Sequence, residues 1–206
     1  SLSNILASGD GGDEIFGGYT FRYEKFLSST NSNSTSLEKV KAYLSCHERD
    51  RVPDQELLFG NKSNFSWNTI YDSLLPYFDN PLSRLDQVFL ADYNGKLLYN
   101  FNPVNTSIAN SFDIKLLTPL LNDELISYGL TLSNQFKYNP IKNIGKLPLR
   151  DLLVKNKADS LISKEKLGFN VNTINLWNST AHSKCKEFFD NARTVKDGWI
   201  NNEWIE

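Results

Sequence analysis

An apolar run that stops at a cluster of glycines and carboxylates opens this sequence. Leu2-Ser3-Asn4-Ile5-Leu6-Ala7 leads into Ser8-Gly9-Asp10-Gly11-Gly12-Asp13-Glu14, and Ile15-Phe16-Gly17-Gly18-Tyr19 follows. A short apolar run bounded by turn residues reads as a strand, the glycines as a tight turn, and the remainder as the start of a helix. The glycines permit positive φ and remove side chains. Backbone N–H groups at the helix start are thereby open to a phosphate or another anion. Asp10 and Asp13 project beside that place. Carboxylates repel a phosphate unless a cation stands between them, and Mg²⁺ is the usual one. The residues therefore predict a Mg²⁺–nucleotide or Mg²⁺–pyrophosphate site at the C-terminal end of a strand, where open α/β sheets bind ligands. A glycine-rich turn whose aspartates only cap the helix is the plainer alternative. The string is neither a Walker loop nor a dinucleotide fingerprint: it lacks the Lys-Ser/Thr of the first and the glycine spacing of the second.

Downstream the pattern is mostly helical. Leu27–Ser36 is polar and of low complexity, and is expected to be a mobile surface loop. Thr35 with Glu38 forms a capping-box pattern for a helix through about Cys46. Leu82, Leu85, Val88, Phe89, Tyr93 and Leu97 follow helical spacing. Asn122 is placed to cap a helix that has Asp123 and Glu124 in its first turn. Pro148 suits a first turn. Trp177, Phe188, Phe189, Trp199 and Trp204 concentrate aromatic mass near the C-terminus. The fold expected is one mostly α domain over residues 1–206 with a single opening β-strand. A lone parallel strand is not stable by itself, so its sheet partners are expected upstream of residue 1. The absence of methionine from all 206 residues points the same way, to a piece of a longer protein.

Composition excludes some functions. A formal charge of −2 lacks the basic excess of a dedicated nucleic-acid binder. No apolar run approaches the ~20 residues of a membrane span. Cys46 and Cys185 are read as reduced thiols of a cytoplasmic protein. Asn33, Asn61, Asn64, Asn105 and Asn178 match the N-glycosylation pattern, as chance allows in a chain this rich in Asn and Ser.

The string Ser8–Tyr19 resembles the second conserved motif in the synthetase domain of glutamine-hydrolysing asparagine synthetases, Ser-Gly-(Asp/Glu)-Gly-x-Asp-Glu-x-Phe-Gly-Gly-Tyr, over twelve consecutive positions. Thr118-Pro-Leu-Leu-Asn-Asp-Glu-Leu125 is similar to the family's Val-Pro-Phe-Leu-Asp-x-x-Leu segment. Lys166-Leu-Gly-Phe169 with Trp177 is similar to its Lys-x-Gly-Phe…Trp segment, and Lys146-Leu-Pro-Leu-Arg150 to its Lys-x-x-x-Arg helix start. The resemblance spans roughly residues 3–180 and is weak from about 28 to 105. It implies the later, largely helical part of an α/β adenine-nucleotide α-hydrolase-like (PP-loop) synthetase domain.

It also implies roles. Ser8 and Gly9 contact the adenylate, with Gly11 and Gly12 completing the nucleotide loop. Asp10 acts as general base on the attacking ammonia, and Asp13 holds Mg²⁺ and pyrophosphate. Lys166 binds the ATP phosphates. The substrates implied are ATP, aspartate and ammonia from glutamine. The partners implied are an upstream half of the synthetase domain and a glutaminase domain.

Three departures qualify this. The family's Ser-Gly-Gly-x-Asp-Ser loop and its leading catalytic cysteine do not occur in these residues. Asn122 stands where the family usually has Asp, and a neutral amide lacks the charge expected at a substrate site. The family's Asp-Arg pair falls on Val104-Asn105, and the segment Asp113–Thr118 is two residues longer. The leading expectation is an ATP-dependent amide ligase whose fragment alone is inactive. A β-lactam-forming relative with another carboxylate acceptor and a degenerate, non-catalytic binding module are the alternatives.

Overall fold

A computed structural model describes residues 4–47, 55–163, 173–189 and 192–205. The chain divides into two compact units, Ser1–His47 with Ser73–Ile162, and Glu48–Asp72 with Ser163–Glu206. In chain order the elements are β1 (Ile5–Ala7), α1 (Gly12–Phe16), α2 (Thr20–Ser29), α3 (Ser36–Ser45), α4 (Gln55–Leu58), α5 (Trp67–Phe78) and α6 (Arg84–Ala91). A π-helical stretch, Asp92–Phe101, runs into α7 (Asn102–Ser111), followed by β2 (Lys115–Leu117), α8 (Asp123–Thr131) and α9 (Leu147–Lys155). The second unit adds α10 (Thr173–Leu176), α11 (His182–Phe189), α12 (Arg193–Lys196) and α13 (Asn202–Ile205).

The mostly helical expectation holds, and the opening strand is where the sequence places it. The expectation about its partner needs correction. β1 pairs in parallel with β2, Leu6 opposite Leu116, so one partner lies downstream within this chain. Ser8 N–H donates to Leu117 O at 2.8 Å and extends the pairing into the glycine-rich turn.

Local signals explain several helix boundaries. The Thr35–Glu38 capping box forms in both directions, satisfying two backbone donors that the start of α3 would leave open. The polar stretch 27–36 is divided between elements. Residues 27–29 complete α2, residues 30–35 turn the chain, and Ser36 begins α3. Arg84 caps the C-terminal end of α2: its guanidinium donates to Leu27 O at 3.1 Å and to Thr30 O. The helical spacing expected through residue 97 is met by α6 and then by the wider π turn. Pro103, just beyond that turn, has no N–H to give to an α-helical ladder.

The core of the first unit is aromatic. Tyr23 packs edge-on against Phe89 at 5.2 Å and Tyr138 at 5.3 Å, and Phe26 lies 5.9 Å from Phe78. A second buried cluster, Ile15, Phe16 and Leu97, receives Leu121, Leu125 and Leu149, and so fixes α1 beneath the glycine-rich turn. Inside this core Arg22 Nη2 donates to Asp92 Oδ1 at 2.7 Å, and Tyr43 Oη donates to the same oxygen at 2.8 Å. Arg22 is 3% and Asp92 0% exposed. Burial works against the Arg22 charge, but Asp92, with Tyr43 and Tyr23, more than offsets it and holds the guanidinium protonated.

In the second unit Phe59 bridges antiparallel to Ile200, and the rings of Phe59 and Phe65 stack at 4.6 Å. Trp177 meets His182 edge-on at 5.4 Å. Cys46 and Cys185 are both free thiols.

Asn122 occupies the cap position of α8, accepting from Glu124 N–H at 3.0 Å and Leu125 N–H at 3.4 Å. Aspartate would serve this position equally well, since Asn and Asp rank together as N-caps. The departure from the family's Asp therefore preserves a helix start. Asn122→Ala should lose about 1 kcal/mol of stability and Asn122→Asp almost none, measured by urea unfolding followed by circular dichroism.

Candidate functional site

The turn after β1 brings six of the sequence-predicted residues, Ser8 to Asp13, to one place. Gly11 has φ +88°, and a Cβ there would overlap Leu121. Both the backbone conformation and the space require glycine. Gly9 has open space where a Cβ would stand. Asp10 N–H donates to Ser8 Oγ at 3.2 Å, and Gly12 N–H to Gly9 O at 3.2 Å, which curls the loop over the start of α1.

The two carboxylates are held differently. Asp10 Oδ2 accepts from Asn105 Nδ2 on α7 at 2.8 Å. Asp13 Oδ1 lies 3.2 Å from Lys146 Nζ, with both side chains about a third exposed (30% and 37%). Backbone packing aims Lys146 at this position. Its N–H donates to Phe16 O at 3.0 Å, its φ is +57°, and Gly145 sits so close to Gly17 that a Cβ would overlap the Gly17 carbonyl. Gly18 is just as constrained, because a Cβ there would overlap the Asp13 carboxylate. Three tightly packed glycines, Gly17, Gly18 and Gly145, thus bring the ammonium to the carboxylate.

Behind this pair lies Glu14, 3% exposed, whose carboxylate accepts from Tyr19 Oη. Burial pushes the Glu14 carboxyl above its ordinary range, while the Tyr19 hydrogen bond pulls it back. Arg22 and Lys96 stand over the Tyr19 ring, at 4.8 and 4.7 Å from its centre. This layer ties the Gly17-Gly18-Tyr19 corner to the core.

Ser8, Gly9, Asp10, Gly11, Gly12 and Asp13, the residues the sequence singles out, lie together on this turn. Lys166 lies outside the described residues, so it is not placed against them. Asn105 and the pairing of Lys146 with Asp13 were missed. The Lys-x-x-x-Arg helix start was the available signal for Lys146, and Arg150 in that motif donates from Nε to Gly145 O at 2.9 Å. Among the described residues no cluster of three or more His, Cys, Asp or Glu could cage a metal ion. No helix among them is long and apolar enough to cross a membrane.

A parallel strand ending in a glycine turn thus brings two carboxylates and a lysine together beside the start of α1. The asparagine synthase family matches residues 3–206, and the chain belongs to that family. Membership points to an ATP-dependent ligase. No curated protein and no solved structure matches the chain.

Proposed function

We propose that the chain forms part of an amide ligase that adenylates the side-chain carboxylate of aspartate and lets ammonia from glutamine displace AMP, giving asparagine and pyrophosphate. One observation carries the reading: Asp10 and Asp13 flank a glycine turn, one oriented by a neutral amide and the other by an ammonium.

Ser8 and Gly9 face the adenylate, and the N–H groups about Gly11 and Gly12 face the phosphates. Asp10 accepts the proton released when nitrogen attacks the acyl carbon. Asn105 orients it for that task without neutralising it. Lys146, together with Lys166 on the family resemblance, offsets charge that builds on departing pyrophosphate. The hard carboxylate of Asp13 suits Mg²⁺, which needs only one or two protein carboxylates when phosphates and water complete its shell. When bound, Mg²⁺ would withdraw charge from the phosphate oxygens. Holding amine and adenylate together removes the entropy cost of their encounter.

Both strands leave apolar side chains open, with Ile5 and Leu6 about half exposed. Parallel strands are normally covered on both faces, which supports placing β1 and β2 in a larger sheet of the PP-loop type. The upstream half of the synthetase domain would supply its other strands and the Ser-Gly-Gly-x-Asp-Ser loop, and a glutaminase domain the ammonia. On this reading the chain alone gives no ATP–pyrophosphate exchange, and exchange by it would overturn the dependence on that half. The ligase reading itself is tested by titrating ATP into the chain with and without Mg²⁺. Binding that requires Mg²⁺ and weakens at least tenfold in both Asp13→Asn and Lys146→Met is expected. Binding indifferent to Mg²⁺, or none, would overturn it.

A further inference from the structure

A cleft of about 290 Å³ opens directly beside Asp10, between α7 and the two strands. Its walls are apolar: Leu6 and Leu116 from the strands, Ile108, Ala109 and Phe112 from α7 and the residue after it. Its polar residues are Ser8, Asp10 and Asn105. Asn105 Nδ2 is committed to Asp10 Oδ2. In that orientation the amide oxygen Oδ1 points away from the bond as an acceptor, and Asp10 keeps its second carboxylate oxygen. The polar edge of the cleft is therefore an anionic acceptor pair, and its interior is hydrocarbon. Lys146 is engaged at Asp13 instead, so it does not fill this charge.

We propose that this cleft binds a primary amine carrying a small apolar substituent, the ammonium on Asp10 and Asn105 and the substituent against Leu6, Ile108 and Leu116. Charge complementarity selects the head group, and apolar burial selects the tail. A carboxylate ligand would meet Asp10 with like charge. Free ammonium would leave the hydrocarbon interior unused.

This amine is a ligand apart from the ammonia of the ligase reading above, and its binding does not depend on that reading.

The test titrates n-butylamine into the ¹⁵N-labelled chain at neutral pH. Shifts confined to the amides of β1, β2 and α7 are expected, saturating in the millimolar range. Ammonium chloride at equal concentration should not reproduce them, and butyrate should bind at least tenfold more weakly. Ile108→Asn, at an exposed position, and Asp10→Asn should each weaken binding at least tenfold. Ala109→Phe, which fills the cleft, serves as a third variant provided its spectrum stays folded.

Equal binding of ammonium and butylamine, or unchanged binding by Ile108→Asn, would overturn the proposal. ATP titrated into the same samples separates the two readings. Amine binding without any Mg²⁺-dependent ATP binding sinks the ligase reading and leaves the cleft. ATP binding without amine binding sinks the cleft and leaves the ligase.

Discussion

Asp92→Asn should destabilise the first unit by about 3–5 kcal/mol, because it leaves a buried guanidinium uncompensated. The size follows from burial: neither Arg22 nor Asp92 reaches solvent to any useful extent. Arg22 Nε and Nη1 and Asp92 Oδ2 already lack hydrogen-bond partners, so the core has nothing in reserve to offer the orphaned charge. The loss measures the broken pair, and not what the pair contributes. Replacing the network together, as Arg22→Met, Asp92→Leu and Tyr43→Phe, should recover most of the stability, since apolar groups of similar volume avoid the desolvation cost. Urea unfolding followed by far-ultraviolet circular dichroism checks both variants. A single-variant loss below 1 kcal/mol would mean that water reaches the pair.

The second large effect runs in the opposite direction. Lys137 is 1% exposed, and its ammonium stands 4.8 Å from the centre of the Phe89 ring. Burial pushes its pKa down to about 8, against a small opposing pull from Asp86. A lysine whose folded pKa is depressed costs stability while it is charged in both states. Between the folded value and the unfolded value near ~10.4 the unfolded chain binds more protons, so stability climbs with pH across that window. Lys137→Met keeps the apolar stem over Phe89 and removes the charge. It should raise stability at pH 7 by up to about 3 kcal/mol, the equivalent of the shift. It should also abolish the rise between pH 8 and 10.5. Melting temperatures measured from pH 6.5 to 10.5 read both effects, and parallel curves for the two proteins would refute the assignment.

Features carried by neighbouring residues were legible in the sequence. The Thr35–Glu38 box, the Asn122 cap, the first-turn Pro148 and the strand–turn–helix opening each need only a handful of consecutive positions. β2 was not legible, because three residues beginning with a lysine carry no alternation and become a strand only by pairing with β1. The π turn escaped because its apolar side chains still fit helical spacing to Leu97. The site was legible where its residues are consecutive, from Ser8 to Asp13, and not where distant residues complete it. Asn105 reaches Asp10, and Lys146 reaches Asp13, through packing that no local pattern announces.

The pairing of β1 with β2 also sets an order of events at the ribosome. The first strand emerges more than a hundred residues before the segment that pairs with it. At roughly 5–20 residues per second, the edge that faces β2 waits for about 5–20 s for its partner. The lysine that pairs with Asp13 on its glycine turn follows still later. Nascent chains stalled before residue 115 would therefore present the β2-facing edge of this apolar strand unpaired, a natural point of engagement for chaperones that shield extended segments during synthesis.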